Sequence, residues 1–331
     1  MNTAANKTRL LGSELTMQMA SQPGQIVGLN NTFVVNYGDE TPSATNVPTR
    51  TFDAPQVIEC WQGMFEGSHE QNSDWVFYHN DQYLIAAVPH QGLADLPIDK
   101  ATELAYTQIF KHIEAMGYPY LLRTWNYIPH ITKVTTNGQN NYQLFCSGRT
   151  RAYDNSSHKH DYPAATVAGT QQEGVYIYFI ASKTLGKGVE NPQQISAFHY
   201  PIEYSEDPPL FSRALLHRND VQEILFVSGT ASITGHSTLH EGDVIRQLDV
   251  CLDNIRHLID TAVSSQQMNK LDVADMTQLK VYVKHASDFN AVQTYLDNVL
   301  GLNAATCYIQ GDLCRDNLLV EIEALAIQAI N

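Results

Sequence analysis

The chain has 331 residues, of which 43% are apolar and 17% charged, enough for one large or two medium domains with a substantial core. A net charge of −15 argues against non-specific nucleic-acid binding and requires that any anionic ligand be met by a local cationic pocket. Cys60, Cys146, Cys251, Cys307 and Cys314 form no Cys-x-x-Cys pair and no zinc-like spacing. With no apolar stretch of signal-peptide or membrane-span length, a reduced cytoplasmic protein that does not contact membrane is expected.

In chain order, residues 1–55 are polar and punctuated by Pro and Gly, with short β-like runs such as Thr32-Phe33-Val34-Val35. They read as an N-terminal extension without chemistry. A hairpin follows, Trp75–Tyr78 and Tyr83–Val88 around a turn at Asn80-Asp81. Ala101, Leu104, Ala105, Ile109 and Ile113 have helical spacing, closed near Gly117. Tyr120–Trp125 reads as a strand, Tyr142–Tyr153 as a short helix, and Val175–Ile180 as a strand.

The second half repeats the theme. Leu210–Leu216 and Glu223–Ser228 read as strands, followed by a helix from Asp243 to Val263 with Ile245, Leu248, Leu252, Ile255 and Ile259 on one face. Then come strand Leu279–Val283, a helix carrying Phe289, Val292, Leu296 and Val299, and strands at Thr306–Ile309 and Leu318–Ala324. Both halves read β-β-α-β-α-β, which predicts two related α/β (α+β) units of mixed sheet backed by helices. The expected domains are 1–55, 56–195 and 196–331, with the boundary in the Gly/Pro-bearing stretch 186–209.

The last strand carries the sharpest chemical signal. With period two, Leu318, Val320, Ile322 and Ala324 share one face, and Leu319, Glu321, Glu323 and Leu325 the other. A carboxyl set among large aliphatics is a candidate for the raised pKa that a general acid needs at neutral pH. A half-buried strand with its acids in water fits the same alternation. Arg123, Arg149 and Arg213 each lie in apolar runs, where a guanidinium needs an internal carboxylate or a ligand carboxylate. Tyr127, Tyr142, Tyr200 and Tyr204 offer phenolic donors, and Gly229 would let backbone approach a ligand. His158-Lys159-His160-Asp161 reads as a solvated loop rather than a metal cluster. Ser228, Ser232, His236, His240 and Asp243 hold the ingredients of a hydrolytic triad but lack the Gly-x-Ser-x-Gly elbow.

The C-terminal stretch Gly311–Leu325 resembles the closing motif of the Rid (reactive-intermediate deaminase) superfamily. Ser228-Gly229, Gly242-Asp243, Gln247, Asn254 and Glu321 follow in the expected order. With Leu122–Tyr127, Phe145–Arg149, Pro163–Thr166, Glu190-Asn191-Pro192, His199-Tyr200-Pro201 and Ser228-Gly229-Thr230-Ala231, the resemblance sharpens to the chorismatases, chorismate-hydrolysing enzymes on a Rid-like fold. These segments span residues 120 to 325. The resemblance implies a cofactor-free and metal-free enzyme releasing pyruvate from chorismate. Glu321 would be the general acid, Arg149 and Arg213 the carboxylate clamps, and Arg123 would sit behind them. Tyr200, Tyr127, Gly229 and Thr230 would bind substrate. Gly229 and Cys314 match the hydroxybenzoate-forming types, where the other type carries Ala at both positions, so 3-hydroxybenzoate is the expected product. One branch also makes 4-hydroxybenzoate, and the sequence does not separate the branches.

Rid deaminases carry an Arg before the penultimate strand. Ala304-Ala305-Thr306-Cys307 offers none, which counts against the alternative of an enamine or imine deaminase. A non-enzymatic small-ligand-binding protein on the same fold is the third reading. Rid relatives are trimers, but a tandem could cover the association surfaces internally, so a monomer is expected.

Overall fold

The computed structural model describes residues 13–22, 25, 32–38, 45–52, 56–69, 75–90, 92–202, 204–301 and 305–330; residues 1–12 of the expected N-terminal extension lie outside them. The N-terminal segment supplies β1 (Thr16–Ala20), β2 (Thr32–Gly38), β3 (Asn46–Pro48), β4 (Arg50–Thr51) and β5 (Gln56–Gln62). Four of these form a sheet in the order β1-β5-β2-β3.

The first α/β unit holds β6 (Glu66–His69), β7 (Val76–His79), β8 (Tyr83–Ala87), α1 (Ile98–Met116), β9 (Tyr120–Pro129), α2 (Asn141–Asp154), β10 (Ala164–Thr170) and β11 (Tyr176–Ser182). The second holds β12 (Lys187–Val189), β13 (Ala214–Arg218), β14 (Gln222–Ala231), the small hairpin β15 (Ile233–Thr234) and β16 (Ser237–Thr238), then α3 (Val244–Gln266), β17 (Gln278–Val283), α4 (Phe289–Leu300), β18 (Ala305–Gln310) and β19 (Val320–Ala329). Their sheets run β10-β9-β11-β8-β7-β6 and β12-β13-β14-β19-β17-β18-β4. In each unit a parallel pair (β9 with β10, β17 with β18) is followed by a last strand inserted antiparallel between the first strand of that pair and the preceding hairpin. The order β10-β9-β11-β8-β7 thus repeats as β18-β17-β19-β14-β13. This is the two-unit, Rid-like α/β architecture expected.

Local chemistry accounts for the helices. α1 buries Ala101, Ala105, Ile109 and Ile113 on one stripe and stops at Gly117, whose φ of 79° is the left-handed cap that glycine takes without strain. Leu104, expected on that stripe, is instead exposed. α2 opens with a reciprocal capping box between Asn140 and Gln143, and Asp243 caps α3 by accepting from the Arg246 amide. β10, Ala-Ala-Thr-Val-Ala-Gly-Thr, was not expected as a strand, because small residues give it neither alternation nor strong β propensity.

Period two sorts the strand residues into cores. On β11, Tyr176, Tyr178 and Ile180 face the layer shared by the sheets, while Ile177, Phe179 and Ala181 face α1 and α2. On β14, Ile224 and Phe226 face the shared layer, and Leu225 and Val227 face α3 and α4. Phe33, Val35, Tyr37 and Trp61 of the N-terminal sheet enter the same shared layer. β5, placed at the start of the first unit, completes the sheet of the extension, and β12, placed before residue 196, pairs with β13 in the second sheet. Among the described residues no helix is long and apolar enough to cross a membrane.

Candidate active site

A cavity of about 440 Å³ opens where the start of α2 meets the second unit. Tyr142 of α2, Tyr200, Tyr204, Arg213, Gly229, Cys314, Arg315 and Glu321 all line it. Strand alternation carries Glu321 there: Val320, Ile322 and Ala324 pack under α3 and α4, so Glu321 and Glu323 point to the opposite face.

Two carboxyls two residues apart meet opposite environments. Burial pushes Glu321 up to about 8; the Glu323 charge adds to this, and Arg123 and Arg213 oppose it. Glu323 is buried as well, which alone would raise it, but Lys280 and Arg123 hold it down at about 2. Arg123 Nη2 lies 2.9 Å from Glu323 Oε2, and Lys280 Nζ 2.9 Å from Oε1. Trp125 Nε1 donates to Glu323 at 2.7 Å and the Tyr282 hydroxyl at 3.2 Å. At neutral pH these surroundings favour a protonated carboxyl at Glu321 and an ionised one at Glu323.

β14 supplies the wall beside Glu321. A bulge between Val227 and Thr230 shifts the alternation there, so Gly229 and Ala231 face the cavity and Thr230 does not. The hydroxyl of Thr230, expected among the substrate contacts, donates instead to the Ser228 carbonyl at 2.8 Å. A Cβ built on Gly229 would overlap Glu321 Oε1, so glycine is what lets the acid lie against the strand. The strand end is fixed by Asn254, whose amide donates to the Ile233 carbonyl at 2.9 Å.

The turn holding Cys314 and Arg315 is clamped by the buried Gln247, which donates to Asn317 O at 2.8 Å and accepts from Leu319 N at 2.7 Å. Burial, then the nearby Glu321, push the Cys314 thiol up to about 12. Arg213 Nη2 donates to Tyr200 Oη at 2.7 Å and to Ile195 O at 2.8 Å, and its buried Nε has no partner. Arg315 lies over the Tyr204 ring at 4.0 Å and donates to His236 O at 2.8 Å. Among the described residues neither Arg213 nor Arg315 forms a salt bridge, and both line the cavity.

Arg149 and Tyr127 are placed elsewhere. Arg149 stacks over Tyr106 at 4.7 Å and near Tyr153 and Phe145, and does not line the cavity. Its partners Phe145 and Tyr153 stand four residues to either side on α2, a spacing that marks helix-face packing. Tyr127 is fully buried, its hydroxyl 2.9 Å from that of Tyr282. Arg315, by contrast, was not singled out in the sequence, although it sits next to Cys314 in the closing motif. Tyr142 and Tyr204 were only named as phenols near the motifs.

The remaining constellations resolve into structure. His158 pairs with Glu114 at 3.0 Å and stacks on Phe110. Ser228 donates to Ser212 O at 2.6 Å, Ser232 to Leu239 O at 2.9 Å, and Asp243 caps α3, so no triad forms. Among the described residues no group of three or more His, Cys, Asp or Glu is placed to hold a metal.

Two family models match: "Chorismatase FkbO/Hyg5-like, N-terminal" over residues 59–181 and "Endoribonuclease L-PSP" over residues 211–328. A 3-hydroxybenzoate synthase of Streptomyces hygroscopicus is 32% identical over 323 residues, covering 91% of this chain and 93% of its own. A chorismatase of Streptomyces rapamycinicus is 35% identical over 289 residues, 85% of each chain. The crystal structure of a chorismatase superposes with a TM-score of 0.83 at 28% identity, covering 95% of this chain and 98% of its own. With relatives above 30% identity along nearly the whole length, and the same fold throughout, this chain belongs to the chorismatase family.

Proposed function

We propose that this protein converts chorismate to pyruvate and 3-hydroxybenzoate, with Glu321 as the general acid. The observation that carries the reading is a carboxyl held near pKa 8 on the cavity wall, beside a second carboxyl held ionised. An enol ether is opened by protonating its terminal methylene carbon, which places positive charge on the ether carbon and oxygen. A carboxyl that is still protonated at pH 7 can give that proton.

Chorismate carries one carboxylate on its ring and one on its enolpyruvyl arm. Arg213 and Arg315 border the cavity and suit these two groups, so Arg315 replaces Arg149 in the clamp. Tyr200, already donor-matched to Arg213, is placed to complete the pocket around a carboxylate. Binding energy at the two ends then holds the methylene carbon against Glu321.

After protonation, the ring hydroxyl next to the arm attacks the ring carbon that bears it. The ring carbon–oxygen bond breaks and the arm leaves as pyruvate with that oxygen as its ketone. The hydroxyl proton lost in the attack balances the one delivered to the methylene. The ring then aromatises to the hydroxybenzoate, and the two products together account for every atom of chorismate. Capture by water instead would consume one water and give the dihydroxycyclohexadiene carboxylate. Gly229 and Cys314 face this step: the missing Cβ leaves Glu321 against the strand, and the protonated thiol borders the same space. Both support the intramolecular route.

The test is incubation with chorismate, coupled measurement of pyruvate, and chromatography of the aromatic products. Pyruvate with 3-hydroxybenzoate is expected. Pyruvate with the diene diol alone would refute the product type, and no pyruvate would refute the reading as a whole.

A further inference from the structure

We infer that Glu59 and Lys280, neither of which lines the cavity, are positioning residues for Glu321: with Arg123 and Glu323 they form a closed array of four buried charges whose zero sum keeps the acid protonated across neutral pH. The inference rests on the reading of Glu321 as the acid. Lys280 Nζ lies 2.7 Å from Glu59 Oε2 and 2.9 Å from Glu323 Oε1, and both Glu59 and Lys280 have no solvent exposure. Glu59 also accepts from Trp61 Nε1 at 2.6 Å and from the Tyr37 hydroxyl at 2.9 Å, and Lys280 donates to Tyr37 Oη at 2.9 Å. Arg123 Nη2 closes the array on Glu323 and donates as well to Thr166 Oγ1, which accepts the Gly229 amide at 3.1 Å.

The four charges come from four strands: β5 of the N-terminal sheet, β9 of the first unit, and β17 and β19 of the second. Lys280 is the register partner of Glu323, and Tyr282 that of Glu321, so the array ends one pleat from the acid. A buried ion array is a poor way to gain stability, since desolvation offsets most of the attraction and apolar residues of similar size do as well. Its effect on a neighbouring carboxyl is large, because charges in a dry interior are little screened. Two carboxylates and two cations cancel, and removing any one leaves a unit charge beside Glu321.

The other groups facing Glu321 do not provide this control. They are Tyr282 on β17, Cys251 on α3, Cys314, Arg315 and Asp316 in the turn before β19, and Arg213 before β13. Burial raises Tyr282 and Cys251 well above their usual ranges and Cys314 to about 12, so all three stay neutral, and Asp316 lies in water. The arginines are fixed cations. The N-terminal sheet thus supplies a charge to the array through Glu59 on β5.

The test compares Glu59→Gln, Lys280→Met, Arg123→Gln and the double variant Glu59→Gln/Lys280→Met with the unmutated protein. Two readouts are taken: the pH at which pyruvate release from chorismate falls off, and the titration of the Glu321 carboxyl by ¹³C NMR, which needs no turnover. A unit charge at about 10 Å through an effective dielectric of about 20 moves a titration by on the order of one pH unit. Glu59→Gln should move both readouts to lower pH by about that much, and Lys280→Met and Arg123→Gln to higher pH. The double variant should return close to the unmutated position, as a loss of packing would not. Coincident titrations in every folded variant would overturn the inference. Failure of all three single variants to fold would also overturn it, assigning the array to stability alone. Absence of pyruvate from the unmutated protein would sink the functional reading, while the NMR titrations still decide this one.

Discussion

Replacing Glu321 by Gln removes a proton donor while keeping its shape, and the structure sets the size of the effect. A carboxyl of pKa about 8 is roughly nine-tenths protonated at pH 7, whereas one at the ordinary glutamate value of about 4.5 is roughly 0.3% protonated. Burial and the Glu323 charge therefore raise the usable acid by a factor on the order of 300. The amide can donate none of it, so kcat for pyruvate release should fall by at least about two orders of magnitude. Arg213 and Arg315 are untouched, so the dissociation constant of an unreactive dicarboxylate analogue should stay within about twofold. Steady-state pyruvate release by a coupled assay, with calorimetric titration of the analogue, measures both. A variant that keeps more than about a tenth of the activity would refute the assignment of the acid.

Arg213→Ala and Arg315→Ala should each raise KM about tenfold or more, because each removes a charge-assisted contact to a carboxylate. Arg149→Ala should leave KM unchanged and lower stability by on the order of 1–2 kcal/mol through lost ring stacking, read from urea midpoints. Cys314→Ala should lower the hydroxybenzoate yield, and with Gly229→Ala should shift product towards the diene diol, as read by chromatography; unchanged product ratios would remove both residues from product control. Stability should also report on Glu321. Its folded pKa lies above its unfolded one, so its contribution is full below about pH 4.5 and is lost as pH rises through about 8. The urea midpoint should therefore fall between pH 5 and pH 9 by more in the unmutated protein than in Glu321→Gln.

Much of this was legible because it is local. Alternation over Leu319–Leu325 put Glu321 and Glu323 on one face, and helical spacing located α1, α3 and α4 to within a few residues. The sequence did not distinguish the two acids, since their difference comes from Lys280 and Arg123 on other strands. Arg149 and Arg315 show the same limit. A guanidinium in an apolar run signals that a partner is needed, but Arg149 lies against the rings of Tyr106, Phe145 and Tyr153 with its Nε and Nη2 unpaired, whereas Arg315 reached the cavity from a turn. Thr230 was expected from the resemblance alone, and the bulge that turns Gly229 and Ala231 to the cavity instead has no local signature in the sequence. Glu59 and Tyr37 were invisible for a different reason: their contacts depend on Lys280, which lies 243 residues from Tyr37 along the chain, folding against them.

The central claim is that Glu321 holds its proton at neutral pH in this cavity. The most direct test is ¹³C NMR of protein labelled at glutamate side-chain carboxyls, following the one resonance absent from Glu321→Gln. The account predicts an inflection near pH 8 for that resonance. An inflection below pH 5 would contradict it, because the carboxyl would then be an anion wherever the protein works.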